Sequence, residues 1–139
     1  MQSLPPGSHY QIIELGSDYE KYDQTPKEYT QTNIKKSIKF IETLKADKGW
    51  TDIYAPLNDI YNSKSDYDKI KLPKNIFLLT DGDINDKKET LNIIEKNSKE
   101  FFVFSIGIWK EFDKDLIKNA GILGKGNYDF CSDIKDLAF

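Results

Sequence analysis

Two short runs carry oxygen-bearing side chains where a strand end or a helix start would hold them still. The run Ile76-Phe-Leu-Leu-Thr-Asp-Gly-Asp83 ends an apolar stretch on Thr80 and Asp81, with Asp83 and Asp86 further on. The run Gly49-Trp-Thr-Asp-Ile-Tyr-Ala-Pro-Leu57 sets the Thr51 hydroxyl just ahead of a helical pattern. A carboxylate and a hydroxyl are hard oxygen ligands, suited to Mg²⁺ or Mn²⁺. Each feature also has a plainer reading. Asp81-Gly82 is a turn dipeptide, although a helical pattern rather than a second strand follows it. Thr51 or Asp52 would serve as a helix cap. Asp83 and Asp86 read more readily as a solvated helix start than as ligands.

The elements that must position these groups alternate between strand-like and helix-like patterns. His9 to Leu15 (HYQIIEL) reads as a first strand, and Gly16 to Tyr29 as a polar loop with room for a short edge strand. A helix is expected from about Thr32, with Ile34, Ile38, Ile41 and Leu44 on one face. A second helix from about Asp52 carries Ile53, Leu57 and Ile60, with Pro56 in its first turn. Asn75 to Thr80 is a continuous apolar run, the pattern of a strand buried on both faces. Asp86 and Glu89 have capping-box spacing ahead of a helix bearing Leu91 and Ile94. Phe101 to Ile108 (FFVFSIGI) is the strongest strand. Asp113 then caps a short helix with Leu116, Ile117 and Ala120, Gly121 its expected stop, and Tyr128 to Cys131 closes the pattern. Strands alternating with helices predict an α/β fold: a doubly wound, mostly parallel sheet with helices on both faces. In such sheets ligands bind beyond the carboxyl ends of the strands, where Asp81 falls.

Composition narrows the function classes. The chain has 139 residues, enough for a single domain, with 38% hydrophobic and 13% aromatic residues to form one core. Its 20 Lys and Arg and 23 Asp and Glu are scattered, leaving a net charge of −3 and no basic stripe for nucleic acid. The apolar runs are too short to span a membrane. The first residues, MQSLPPGSHY, lack the pattern of a signal peptide, so a cytoplasmic chain, or an internal piece of a longer one, is expected. Cys131 is the single cysteine, which leaves no internal disulfide and reads as a small buried hydrophobe. His9 has no acidic or nucleophilic partner nearby in sequence and reads as structural.

The blocks LPPGSHYQIIELGSDYEKY, LKADKGWTDIYAPL, IFLLTDGDIND, FVFSIGI and GNYDF, in that order from Leu4 to Phe130, resemble a von Willebrand factor A domain. The similar type is that of inter-alpha-trypsin inhibitor heavy chains and related intracellular proteins. The resemblance implies a doubly wound α/β fold and a metal-ion-dependent adhesion site at the top of the sheet. By position, Thr51 would be the site's threonine and Asp81 its second-loop aspartate. Two departures weaken that site. The family's first strand, which ends in Asp-x-Ser-x-Ser, and its first helix have no counterpart here, so the domain is expected to be N-terminally incomplete. Trp50 stands where this type usually has glycine and would crowd the metal. A cation that wants about six oxygens would lean mostly on water, so Mg²⁺ or Mn²⁺ would bind weakly.

The absent strand would lie between the strand at His9–Leu15 and the strand at Asn75–Thr80. Its loss leaves two inner edges, and each buried, unpaired backbone group costs about 1–3 kcal/mol. A fragment completed by the rest of a longer product is the favoured resolution. Direct pairing of the two edges comes next, and a strand donated by a partner is the third. Trp109 follows the FSIGI strand and should share the top face with Trp50. An aromatic contact patch, with Asp83 beside it, would then stand in for the metal; the plainer reading packs both indoles into the loops.

A protein-binding module that is not an enzyme is the expected function. A structural subunit that uses no metal is the alternative. An enzymatic rival is a Mg²⁺-dependent phosphatase, since FLLTDGDIN resembles the Asp-x-Asp motif of the haloacid-dehalogenase type. Asp81 would then be the nucleophile and Asp83 the general acid. Asn85 in place of the usual Thr or Val, and the motif's late position in the chain, count against it.

Overall fold

The computed structural model describes residues 4–44, 51–81, 84–108 and 113–131. Three parallel strands form the main sheet, in the order β5 (Lys74–Thr80), β6 (Phe101–Ile108) and β7 (Lys125–Cys131). β6 is the backbone of the core because its residues alternate. Phe101, Val103, Ser105 and Gly107 are buried on one face, and the residues between them are half-buried on the other. On β5, Leu78 and Thr80 pair with Ser105 and Gly107, so they share the buried face.

Three helices cover that face: α2 (Tyr54–Asn62), α4 (Lys87–Asn97) and α5 (Lys114–Leu123). They bring Ile53, Leu57, Tyr61, Ile94, Leu116 and Ala120 onto Leu78, Phe101 and Val103 in one cluster. Each fully buried aliphatic side chain contributes about 1.5–3 kcal/mol. α5 approaches the sheet closely because Gly121 within it and Gly124 at its cap carry no side chain. A Cβ on Gly121 would collide with the Asn127 carbonyl, and one on Gly124 with Val103. Gly121 is therefore a packing residue inside α5 rather than the stop expected from sequence, and the cap falls on Gly124. The buried Ser105 hydroxyl donates to the Ile117 carbonyl, joining β6 to the same helix.

The N-terminal region is built from two small antiparallel pairs. β1 (His9–Tyr10) pairs with β4 (Lys27–Glu28), and β2 (Ile13–Glu14) with β3 (Glu20–Lys21). The expected single strand over His9–Leu15 is thus split in two, and the expected loop supplies both partners. α1 (Gln31–Thr43) follows, capped by Thr30 rather than Thr32, whose hydroxyl accepts from the Asn33 N–H at 3.1 Å. The Tyr10 hydroxyl meets the buried Ser37 hydroxyl at 2.8 Å, and Tyr22 stacks on Phe40. A short helix, α3 (Lys64–Asp68), follows α2. Its Tyr67 hydroxyl donates to the Gln11 side-chain oxygen at 2.6 Å.

Three expectations are corrected. β5 is not buried on both faces: Asn75, Phe77 and Leu79 are exposed, Phe77 at 63%. The stripe on α1 is buried only at Ile34 and Ser37, while Ile38 and Ile41 stay exposed at 46% and 43%. The inner edges do not pair with each other. Among the described residues β5 is an outer strand of its sheet and β2 pairs only with β3. Periodicity predicts which side chains can be covered, but covering needs a second element, and none among the described residues lies there. No described helix is long and apolar enough to cross a membrane.

Candidate functional site

Asp81 directly follows the last residue of β5, at the carboxyl end of the parallel sheet, and is exposed. Thr51 is half-buried in the turn before α2. That turn is fixed at two points. The Asp52 N–H donates to the Gly16 carbonyl at 2.8 Å, just past β2. The Asp52 carboxylate accepts from the Ala55 N–H at 3.0 Å, within the first turn of α2. Of the two residues expected to cap this helix, Thr51 or Asp52, it is Asp52 whose carboxylate reaches a free N–H of the helix start, from the residue ahead of the N-cap Ile53. Pro56 sits in that turn and is buried.

Trp50, Asp83 and Trp109, the expected contact residues, lie outside the described residues, as does Gly82. Asp86 precedes α4 as expected, but its side chain makes no capping bond, so the capping box is not formed by Asp86. Asp113 does cap α5, accepting from the Leu116 N–H at 3.0 Å.

The described residues do not form a cage for a divalent cation. No group of three or more His, Cys, Asp or Glu side chains is gathered among them. Thr51 and Asp81 alone offer a hard cation two ligating side chains, with three oxygens between them, short of the six it prefers.

Two charged clusters that sequence reading missed tie separate elements together. Asp59 on α2 accepts from Lys21 Nζ at 2.7 Å, from the Tyr19 hydroxyl at 2.9 Å and from the Ser63 hydroxyl at 3.1 Å. The Lys21 bond, aided by Tyr19 and Ser63, holds the Asp59 carboxyl below its usual range against the opposing effect of burial. Tyr19, donating to that carboxylate, is pushed up. The second cluster places Lys87 Nζ 2.8 Å from Asp115 and 2.9 Å from Asp113, tying the start of α4 to the start of α5. Neither cluster has a local sequence signature, since the partners lie 26 or more residues apart except for Ser63 and Asp59.

The parallel β5–β6–β7 sheet, the helices packed on it, and an acidic residue at the exit of β5 define an α/β domain. The profile of the von Willebrand factor type A domain matches residues 1–130, and this chain belongs to that family. It is 33% identical to von Willebrand factor A domain-containing protein 5A of Rattus norvegicus over 94% of its length, which is 16% of that protein. A von Willebrand factor A domain-containing protein of Dictyostelium discoideum is 30% identical over 99% of this chain and 14% of its own. The chain thus spans well under a fifth of these relatives. Among solved structures, a von Willebrand factor type A protein from Catenulispora acidiphila superposes with a TM-score of 0.77. It is 15% identical, and the match covers 94% of this chain and 31% of that one. An aerotolerance-related membrane protein from Bacteroides fragilis superposes with a TM-score of 0.68 at 15% identity, over 88% of this chain and 71% of its own.

Proposed function

We propose that this chain is a protein-interaction module, not an enzyme, whose metal dependence is weak or lost. The observation that carries this reading is the family match over residues 1–130, with Asp81 at the exit of β5. The contact surface is the carboxyl end of the sheet. Thr51 and Asp81 form a partial, water-dependent site for Mg²⁺ or Mn²⁺ there, and Trp50, Asp83 and Trp109 add contact area. Indole rings suit that role because they bury a large area at small entropic cost. The setting is cytoplasmic.

Thermal unfolding with and without millimolar Mg²⁺ or Mn²⁺ tests the metal half. The expected outcome is a cooperative transition that the cation leaves in place, because a ligand far below saturation adds no stability. A rise of several degrees would restore a working metal site and overturn this part. Replacing Trp50 and Trp109 with alanine together tests the patch. Lost partner binding with stability retained is expected. A large loss of stability with unchanged binding would show that the indoles are ordinary packing.

The second reading, a structural subunit of a larger assembly with no metal, is favoured by the open face of β5. A phosphatase would need Asp81 and Asp83 as nucleophile and acid. Turnover of a generic phosphoester with Mg²⁺, abolished by Asp81→Asn, would establish it in place of the binding module.

A further inference from the structure

Ser17 is the one exposed serine among the side chains the structure describes. Ser8 and Ser63 are half-buried, and Ser37, Ser98 and Ser105 are buried. Ser17 sits in the bend that joins β2 to β3, and its hydroxyl takes part in no hydrogen bond among the described residues. Asp18 follows it directly, and Glu20 lies three residues on. Its neighbours make the bend a joint between two parts of the fold. The Gly16 carbonyl, one residue before, accepts from the Asp52 N–H at 2.8 Å and so holds the turn that carries Thr51. The Tyr19 hydroxyl, two residues after, donates to Asp59 on α2 at 2.9 Å. Asp18 folds back on the bend and accepts from the Tyr19 N–H at 2.9 Å. Asp59, burial, and the charges of Asp18 and Asp52 push the Tyr19 hydroxyl upward, so three carboxylates bear on one corner. The cation bound there, Lys21, is already engaged, 2.7 Å from Asp59.

We propose that Ser17 is the phosphorylation site of an acid-directed serine kinase, and that the phosphate releases the Thr51 turn from Gly16. Acids one and three residues beyond the serine suit a kinase with a basic peptide groove, and the exposed bend lets the hydroxyl reach it. Ser17 Oγ attacks the terminal phosphorus of ATP. The new O–P bond replaces the bond to ADP, and the hydroxyl proton passes to the kinase's base. The product adds a charge of about −1.5 to −2 at pH 7. Set among Asp18, Asp52 and Asp59, it meets like charge and weakens the Asp52–Gly16 bond. Because that bond fixes the turn of Thr51, the modification loosens one side of the contact end and lowers partner binding. That last consequence rests on the interaction-module reading; the phosphorylation site and the loosened turn do not.

The full chain, treated with an acid-directed serine kinase, Mg²⁺ and ATP, tests this. Mass spectrometry is expected to find phosphate on Ser17, and Ser17→Ala should remove it. In the phosphorylated chain the Asp52 amide should exchange with solvent about tenfold faster or more, while the slow amides of β6 are kept. Ser17→Ala treated in the same way should exchange at Asp52 like the untreated chain. Four results overturn the proposal. The first is phosphate only elsewhere, such as on Ser65, where Asp66 and Asp68 offer acids at the same spacing. The second is an Asp52 amide that keeps its rate or slows, as a phosphate gripped by a cation would make it. The third is an Asp52 amide that exchanges freely before treatment, since there would be no bond to release. The fourth is loss of the β6 amides as well, which is unfolding of the chain rather than release of one turn. All four concern Ser17 and its turn alone, so they leave the interaction-module reading to stand or fall on the metal and tryptophan tests.

Discussion

Tyr61 places its ring edge-on to Phe101, 5.2 Å between centroids, and is 4% exposed. Its hydroxyl is buried with no hydrogen-bond partner among the described residues, and burial pushes its pKa upward. An unsatisfied buried hydroxyl costs about 1–3 kcal/mol. Tyr61→Phe is therefore expected to leave stability unchanged or raise it in urea unfolding; a loss above about 1 kcal/mol would reveal a hidden partner. Gly121 is the opposite case. A methyl group there meets the Asn127 backbone, which cannot swing away. Gly121→Ala should cost about 1–3 kcal/mol by separating α5 from β7, despite alanine's better helix propensity. Asp59 makes a pH prediction. Its carboxyl is held below the ordinary 3.8, first by Lys21. A lowered carboxyl stabilises the fold above the unfolded-state value, and that stability drains away as pH falls through the folded value. Comparing unfolding midpoints of the wild type and Asp59→Asn between pH 5 and pH 2.5 should show a shallower acid loss in the variant.

At the scale of the element, α4 and α1 show how the same pattern ends in two fates. Ile94 on α4 is fully buried, while Ile41 on α1 is 43% exposed, although both occupy helical apolar stripes. Ile94→Ala should cost about 2–5 kcal/mol through the cavity it opens. Ile41→Ala in the isolated chain should stay within about 0.5 kcal/mol, as surface changes do. Unfolding curves of the two variants under one buffer decide it; equal losses would mean α1 is covered. β5 teaches the same lesson. Its run of apolar residues was legible as a strand, and its length was right to within a residue. What it could not disclose was that one face would stay open, because an apolar run records the environment a strand is built for and not whether that environment is present. The Lys87 bridge to Asp113 and Asp115 also belongs here. It joins two helix starts at the surface, where ion pairs are worth about 0–1 kcal/mol and are screened by salt.

For the whole molecule, local chemistry determined most of the element identities. The strand at FFVFSIGI, the spacing of Ile53 and Leu57, and the Asp113 cap are short-range facts, and the structure repeats them. The class of fold followed from their order, since strands that alternate with helices pack as a parallel sheet. The family resemblance also stood in the sequence and agrees with the match over residues 1–130. Other features were decided only by the tertiary structure. The first strand split because its two halves found different antiparallel partners. The Asp52 carboxylate reaches the Ala55 N–H at the start of α2 while the Asp52 N–H is held by the distant Gly16 carbonyl. Lys21 and Tyr19 reached Asp59 only once β3 was laid beside α2. The open face of β5 came from the absence of any described neighbour on that side. The physical division is one of range: periodicity and caps act within a turn or a strand pair, while burial, charge pairing and edge pairing depend on what the rest of the chain brings to the same place.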